Sequence, residues 1–428
     1  MIVGIVSEPV PGHLGPALTV GRALRDRGHE VVVFAIADVA DQVEASGLSV
    51  EVIGADAFPP GALAARWLAH TRGPRALVDS VRTHVDETEV LCRDVPPVAR
   101  DRGVDVLLVD QLQVCGRYLA EAVGVPLATL CAGPGLLRRP DDSFPPPFVD
   151  RAPSTRPADR LANRAGFAGM GLVGAPRLRV VNRHARRDGL PVRRRVEDTA
   201  SPDLQISSLV RALNFDVDPP AGSPLRYLGP LVDDARPPVA FPWDALDGRP
   251  LVYASLGTVQ SGAGAVHEVM ARACAGLDVQ LVVTLGGAHD GPLPRLPGDP
   301  IVVARAPQLE LLRRAALCIT HCGMNTTMEC AGLGVPMVGL PIIYDQPAVA
   351  ARIRHAGLGR TLPLRRLTVP ALREAVASVL ADDTVRRRAA EVAAACAAAG
   401  GARRAAELVE VLALPRTGVT TPSQGSTW

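Results

Sequence analysis

Short runs of aliphatic and β-branched residues recur along this chain with helical patterns between them, and the whole recurrence happens twice. In the first half IVGIV (2–6) reads as a strand and GPALTVGRALRDRG (15–28) as an amphipathic helix ending at Gly28. EVVVFAI (30–36) is the next strand, DQVEASG (41–47) a short helix and LSVEVIG (48–54) a third strand. Further on come the buried-type strand DVLLVD (105–110), a helix over QVCGRYLAEAVG (113–124) and the strand VPLATLC (125–131). Continuous apolar strands with helices between them demand a parallel sheet covered on both faces, because such strands have no side to show to water.

The section 134–200, rich in proline and arginine, breaks this rhythm and is expected to form loops and helices peculiar to this half. The segment LGPLVDDARPPVAFPWD (228–244) carries enough proline to act as a linker. Beyond it the same alternation restarts: PLVYASLGT, a helix near 264–276, VQLVVTLGG, PIVVARA, a helix from 307, ALCITHC, a helix from 324 and VPMVGLPI. The expected division is a first α/β domain over 1–228, a linker over 229–245 and a second α/β domain over 246–384. Residues 385–414 are expected to be helices packing back on the first domain, and 415–428 a flexible tail. The stretch 370–412 reads as one long helical region rich in Ala, Arg, Val and Glu. Two such domains in tandem leave a cleft between the carboxyl ends of their strands, where ligands bind.

Composition narrows the chemistry. All 46 basic residues are arginine, since the 428-residue chain contains no lysine. That excludes a Walker-type phosphate loop and any lysine Schiff base. A net charge of +2 gives no footprint for nucleic acid. Eight cysteines without a CxxC pair read as reduced, buried thiols of a cytoplasmic protein. The amino-terminal stretch has no basic n-region, and no run of about 18 apolar residues spans a membrane. The GxGxxG fingerprint of a nicotinamide enzyme is absent after both first strands.

The densest chemistry lies in THCGMNTTMEC, residues 320–330. A strand, a turn at Gly323 and a helix headed by capping types would aim free backbone N–H groups at an anion such as phosphate. His321, Asn325 and Thr326 add side-chain donors, and Glu329, one turn further, can accept from hydroxyls of the same ligand. Cys322 and Cys330 lie eight apart and do not gather with His321 around one ion. A His321–Cys322 nucleophilic pair is disfavoured because neighbours on a strand point to opposite faces. Asp345-Gln346, straight after a strand, suits vicinal hydroxyls, or caps a helix, or both. Ser255-Leu256-Gly257-Thr258 is a small-residue loop able to approach phosphate. Asp216-Val217-Asp218 has the look of a metal–diphosphate DxD pair but sits in an irregular segment and reads as a solvated loop.

Across the cleft, His13 in PGHLGP follows the first strand, in a loop. It either caps a helix or takes a proton from an alcohol. Asp110, at the same edge of the same sheet, favours the second role, because a carboxylate orients a histidine base and stabilises its protonated form. His29, where the first helix turns into the second strand, reads as structural.

SLGT, Ala306-Pro307-Gln308, HCGxNTxxE, GVP and DQ over roughly 255–355 together resemble the nucleotide-sugar signature of the family 1 glycosyltransferases. GHxxP at His13 and the place of Asp110 extend the likeness to both domains. LLVDQ, SFPPPF and DQPAVAARI are more similar to the bacterial carotenoid glucosyltransferases than to the plant enzymes. The resemblance implies the α/β GT-B fold, two Rossmann-like domains facing across a cleft. It implies a diphosphate site of His321, Ser255, Gly257, Thr258, Asn325, Thr326 and the N–H groups around Gly323 and Met324. Glu329 would hold the ribose, Gln308 with Arg305 and Ala306 the base, and Asp345 and Gln346 the sugar. Plant members place a stacking tryptophan where this chain has Arg305, whose guanidinium also stacks on bases.

The function so implied is inverting transfer from a UDP- or dTDP-sugar to a hydroxyl of a small, largely apolar acceptor, with His13 and Asp110 catalytic and neither metal nor cofactor required. The partners expected are donor and acceptor alone, without nucleic acid or membrane span, in a cytoplasmic monomer or homodimer. The alternatives are a sugar-nucleotide epimerase of the same architecture, or a non-catalytic helper protein that retains the nucleotide pocket.

Overall fold

The computed structural model describes residues 1–70, 76–134, 138–233, 235–257, 264–287 and 292–414, apart from the side chains of 67–70 and 76–77. The first sheet has seven strands: β1 (Ile2–Val6), β2 (Glu30–Ala35), β3 (Ser49–Val52), β4 (Val106–Asp110), β5 (Leu127–Cys131), β6 (Leu204–Ser207) and β7 (Leu225–Tyr227). Their order is β3-β2-β1-β4-β5-β6-β7, and every pairing is parallel. The helices of this half are α1 (Pro11–Arg25), α2 (Ala40–Ala45), α3 (Ala62–His70), α4 (Ala76–Asp101), α5 (Gly116–Val123) and α6 (Pro157–Arg187).

The second sheet repeats the plan with β8 (Leu251–Ser255), β9 (Gln280–Thr284), β10 (Ile301–Val303), β11 (Ala315–Thr320), β12 (Met337–Gly339) and β13 (Gly359–Thr361). The order is β10-β9-β8-β11-β12-β13, again parallel. Its helices are α7 (Gly264–Cys274), α8 (Gln308–Leu312), α9 (Met324–Leu333), α10 (Gln346–His355) and α11 (Val369–Ala381), followed by α12 (Asp383–Ala399) and α13 (Gly401–Ala413). In both sheets the strand order reverses beside the first strand, between β1 and β4 and between β8 and β11. Chains leaving neighbouring strands in opposite directions open a crevice at that point, on the carboxyl edge.

Several expectations change at this level. The first helix starts at Pro11, not at residue 15, so His13 belongs to its first turn and not to a loop. Proline at the first helical position lacks the N–H that would otherwise be unpaired, which makes PG a start signal and not a stop. The stretch 370–412 is three helices, cut by Asp382, whose side chain caps α12, and by Gly400 at φ 89°. The two outer strands β6 (LQIS) and β7 (LRY) escaped the sequence pattern because neither carries a continuous aliphatic run.

α12 packs on α9 of the second domain, whereas α13 crosses back to lie on α1. Ala405, Ala406 and Val409 of α13 complete a core with Leu18, Leu24 and Val106 of the first domain. Glu410 pins the same helix by accepting from Arg27 and by pairing with His29 at 2.7 Å. The domains also meet through Arg352 of α10, which is buried, donates to Asn214 Oδ1 and lies 4.8 Å from the Phe215 ring. Among the described residues no helix is long and apolar enough to cross a membrane.

Leu24 is fully buried in the core that α13 closes. Leu24→Ala is expected to cost about 2–5 kcal/mol. Chemical denaturation followed by the release of α13 (a probe on residue 411) checks it. A loss below about 1 kcal/mol would mean α13 does not seal this core.

Candidate active site in the cleft

β1 pairs with β4, with Val6 opposite Val109, and this register closes the sequence gap between His13 and Asp110. His13 Nδ1 lies 2.8 Å from Asp110 Oδ2, with side chains 20% and 0% exposed. The other carboxylate oxygen accepts from the Leu112 N–H at 2.7 Å, so Asp110 is held at both ends. Burial alone would depress the His13 pKa. The charge and hydrogen bond of Asp110 outweigh it, aided by Glu8 and Asp345, and raise the value to about 9. With Nδ1 taken by Asp110, Nε2 is the nitrogen left to exchange a proton with a ligand.

The second crevice is built from β8 and β11, where Ser255 pairs with Thr320. His321 follows directly. Its ring lies against two glycines: a Cβ on Gly257 would sit 2.8 Å from the ring and one on Gly323 2.3 Å, so no larger residue fits at either place. In the turn expected at Gly323 the left-handed residue is Cys322, at φ 65°, and Gly323 serves as an extended N-cap. Glycine is needed there for room and not for its backbone freedom. Burial lowers the His321 pKa to about 4, opposed only in part by the Ser255 backbone. His321 is therefore a neutral donor where His13 is a cation.

No side chain caps α9, contrary to the expectation from Asn325 and Thr326. Its first N–H groups, from Met324 to Thr326, are left without intrahelical partners, and Thr327 is the first to bond back, to the Gly323 carbonyl at 3.0 Å. That uncapped amino end is suited to an anion. The Met324 side chain is buried in the core, so only its backbone can serve a ligand. Asn325 Nδ2 donates to the Gly12 carbonyl at 3.0 Å and ties α9 to the first turn of α1 across the cleft. Its amide is thus engaged with the other domain in this structure and not held out toward a phosphate.

Glu329 is 2% exposed and has both oxygens occupied. Arg236, from the linker, donates to one at 2.5 Å and Gln308 Nε2 to the other at 2.5 Å. Tyr253 in turn donates to Gln308 Oε1, and Thr326 lies 3.4 Å from Gln308 Nε2. Arg305 is exposed, and Ala306 is half-buried against the second-domain core. Ser255 is buried at the end of β8, and Thr258 lies outside the described residues.

Asp345 occupies the N-cap position of α10, yet its side chain makes no cap bond. Burial raises its pKa, with His13 and Arg352 opposing. Gln346 Oε1 accepts from the Ile342 and Ile343 N–H groups at 2.8 and 3.0 Å and holds the loop before α10. Asp216 and Asp218 form no joint site: Asp216 approaches His355 and Asp218 approaches Arg211. All eight cysteines are free and buried.

The sequence pattern did not single out a buried polar group behind His13. Gln113 Nε2 donates to Glu8 at 2.9 Å and Glu87 at 2.8 Å, His84 stands 3.2 Å from Glu8, and Arg177 donates to Gln113. Burial and the Glu8 charge raise the Glu87 pKa to about 8, while for Glu8 burial is outweighed by His84 and Arg177, which lower its pKa. Glu8, His84 and Glu87 are the one set among the described residues with metal-ligand spacing. The Gln113 amide donates to both carboxylates, and Arg177 reaches them only through Gln113. Glu8 in SEP, next to a strand end, was the available signal.

Each histidine has its own pH signature. Because the folded pKa of His13 lies above its ordinary value of about 6.5, its pair with Asp110 stabilises the fold fully below that pH and is lost as pH rises through about 9. His321, depressed to about 4, acts oppositely and destabilises the fold as pH falls from about 6.5 toward 4. Histidine-resolved NMR titration should find both values, and Asp110→Asn should lower that of His13, since only Glu8 and Asp345 then oppose burial. A wild-type His13 titrating near its ordinary value would refute control by Asp110.

Residues 267–412 match the Erythromycin biosynthesis protein CIII-like C-terminal domain family. The chain is 30% identical over 389 residues to a zeaxanthin glucosyltransferase of Pantoea ananas, covering 88% of each chain. It is also 30% identical over 418 residues to a zeaxanthin glucosyltransferase of Pseudescherichia vulneris, covering 95% of this chain and 96% of that one. Among solved structures it is similar to the glycotransferase of kitacinnamycin, with a TM-score of 0.75, 25% identity, and coverage of 96% and 99%.

Proposed function

Since the chain belongs to the family 1 glycosyltransferases, we propose that it moves a hexose from a nucleoside diphosphate to a hydroxyl of a small, largely apolar acceptor, with inversion at the anomeric carbon. The observation that carries this reading is the opposition of two unlike ends across one cleft. The His13–Asp110 pair stands at one switch point, and the uncapped amino end of α9 with neutral His321 stands at the other.

In this mechanism His13 Nε2 takes the acceptor hydroxyl proton as the oxygen attacks the anomeric carbon. The bond from that carbon to the diphosphate oxygen breaks on the opposite face, and the nucleoside diphosphate leaves with the electron pair. Asp110 holds the imidazole and balances its charge once protonated. The N–H groups of α9 and His321 meet the negative charge that builds on the leaving group, so no metal or cofactor is called for. Glu329 and Gln308 receive the ribose and base, which requires a diol to take over from Arg236. Asp345 and Gln346 receive the sugar. The acceptor reading is supported by the relatives named for zeaxanthin, a hydroxylated apolar molecule, and by Leu112, exposed beside Asp110.

His13 serves as a base only when neutral, so kcat/KM should rise with pH along a limb centred near 9 in the free enzyme. His13→Ala should lose about 10²–10⁴-fold in kcat yet bind nucleoside diphosphate like the wild type. Unimpaired turnover in that variant would sink the assignment.

UDP or dTDP at a hundred times its Kd should stabilise the protein against thermal unfolding by about 2.7 kcal/mol, and His321→Ala should lose most of that gain. Comparing the two nucleotides and their sugars by the same assay identifies the donor. Equal stabilisation of wild type and His321→Ala would remove His321 from the diphosphate site.

A further inference from the structure

We propose that Gln111 forms the first-domain wall of the sugar subsite, its amide hydrogen-bonding a hydroxyl of the transferred sugar opposite Asp345. This rests on the reading of the cleft as a sugar-nucleotide site. Gln111 directly follows Asp110 at the carboxyl end of β4, so its backbone is set by the same strand that sets the His13–Asp110 pair. Its own N–H bonds the Leu130 carbonyl at 2.9 Å, which fixes the residue without using its side chain.

The side chain is where the anomaly lies. Gln111 Oε1 is buried and accepts no hydrogen bond among the described residues. Buried amide oxygens are nearly always paired, and leaving one unpaired is costly, so such a group in a cleft is a place a ligand satisfies. The nitrogen of the same amide faces Gly133, just past β5. A Cβ built on Gly133 would lie 3.4 Å from Gln111 Nε2 and 3.4 Å from Asp345 Oδ2. Twice that distance bounds the separation of the amide from the carboxylate. One hydroxyl oxygen hydrogen-bonded to both groups at a near-tetrahedral angle spans roughly 4.4–5.2 Å, which fits under the same bound. The missing side chain of Gly133 therefore leaves, between a first-domain amide and a second-domain carboxylate, room of the size of a sugar hydroxyl. Asp345 is free to take part, since it does not cap α10. Gln111 offers a donor and an acceptor, and Asp345 an acceptor, which is the complement of a hydroxyl.

Binding without acceptor present separates this role from others. Calorimetry with UDP and dTDP, and then with their glucose conjugates, should give Gln111→Leu the wild-type Kd for the bare nucleotide within about twofold. The same variant should bind the sugar conjugate at least about fivefold more weakly, the scale of one buried hydrogen bond lost. Gly133→Ala, which places its methyl at ordinary contact distance and leaves the backbone unstrained, should show the same selective loss. The pH limb of kcat/KM should not move in either variant, because the His13–Asp110 pair is untouched. Unchanged affinity of Gln111→Leu for the sugar conjugate overturns the proposal, including the case where only the acceptor KM rises. Equal losses for nucleotide and conjugate also overturn it, because they mark a structural defect. If the wild type binds neither nucleotide nor conjugate, it is the sugar-nucleotide reading of the cleft that fails.

Discussion

The parallel pairing of the first strand of each sheet with the strand that follows the reversal is the constraint on which everything else depends. β1 beside β4 brings His13 to Asp110 over 97 residues of chain, and β8 beside β11 brings Gly257 to His321. Neither contact is local. Both follow from a sheet whose order reverses beside its first strand, which leaves the carboxyl edge open at that point and nowhere else along the sheet. Because the two sheets share one order, the two crevices are equivalent, and the cleft is the place where they face one another.

The two crevices then differ in charge, and burial works against one histidine and with the other. His13 has a buried carboxylate at hydrogen-bond distance, so its protonated form is favoured even out of water. His321 lies between two glycines with no carboxylate at hand, so burial drives it neutral. A cation on one side and a neutral donor beside a helix end on the other are the charge states that the proposed function calls for. Behind His13, burial and the Glu8 charge hold the Glu87 pKa up, and the Gln113 amide bridges the two carboxyls.

The halves are joined by contacts that reach the site itself. α13 returns to seal the first core, and Arg352 sits buried against Phe215 with its guanidinium on Asn214. Asn325 to Gly12 couples the anion-facing helix to the helix that carries His13. Arg236 reaches from the linker to Glu329, so the segment between the domains touches the pocket that a ribose would fill.

Much was legible in the sequence because it is local. Continuous aliphatic runs have no solvent face, so they dictate parallel sheets, and glycine-flanked strand ends dictate loops that face a ligand. THCGMNTTMEC could be read as a strand, a turn and a helix start from those rules alone, and so could the place of Asp110 at a strand end. What only the tertiary structure decided is what each side chain does once distant chain is packed against it. Asn325 finds the Gly12 carbonyl, Glu329 finds Arg236, Met324 turns into the core, and Cys322 rather than Gly323 takes the left-handed turn. Gln111 enters the sequence reading only as the last residue of LLVDQ, and its unpaired amide oxygen appears only in the folded chain. Periodicity reports which face of an element is buried. Hydrogen bonds and charge states depend on partners dozens or hundreds of residues away, and no local rule encodes them.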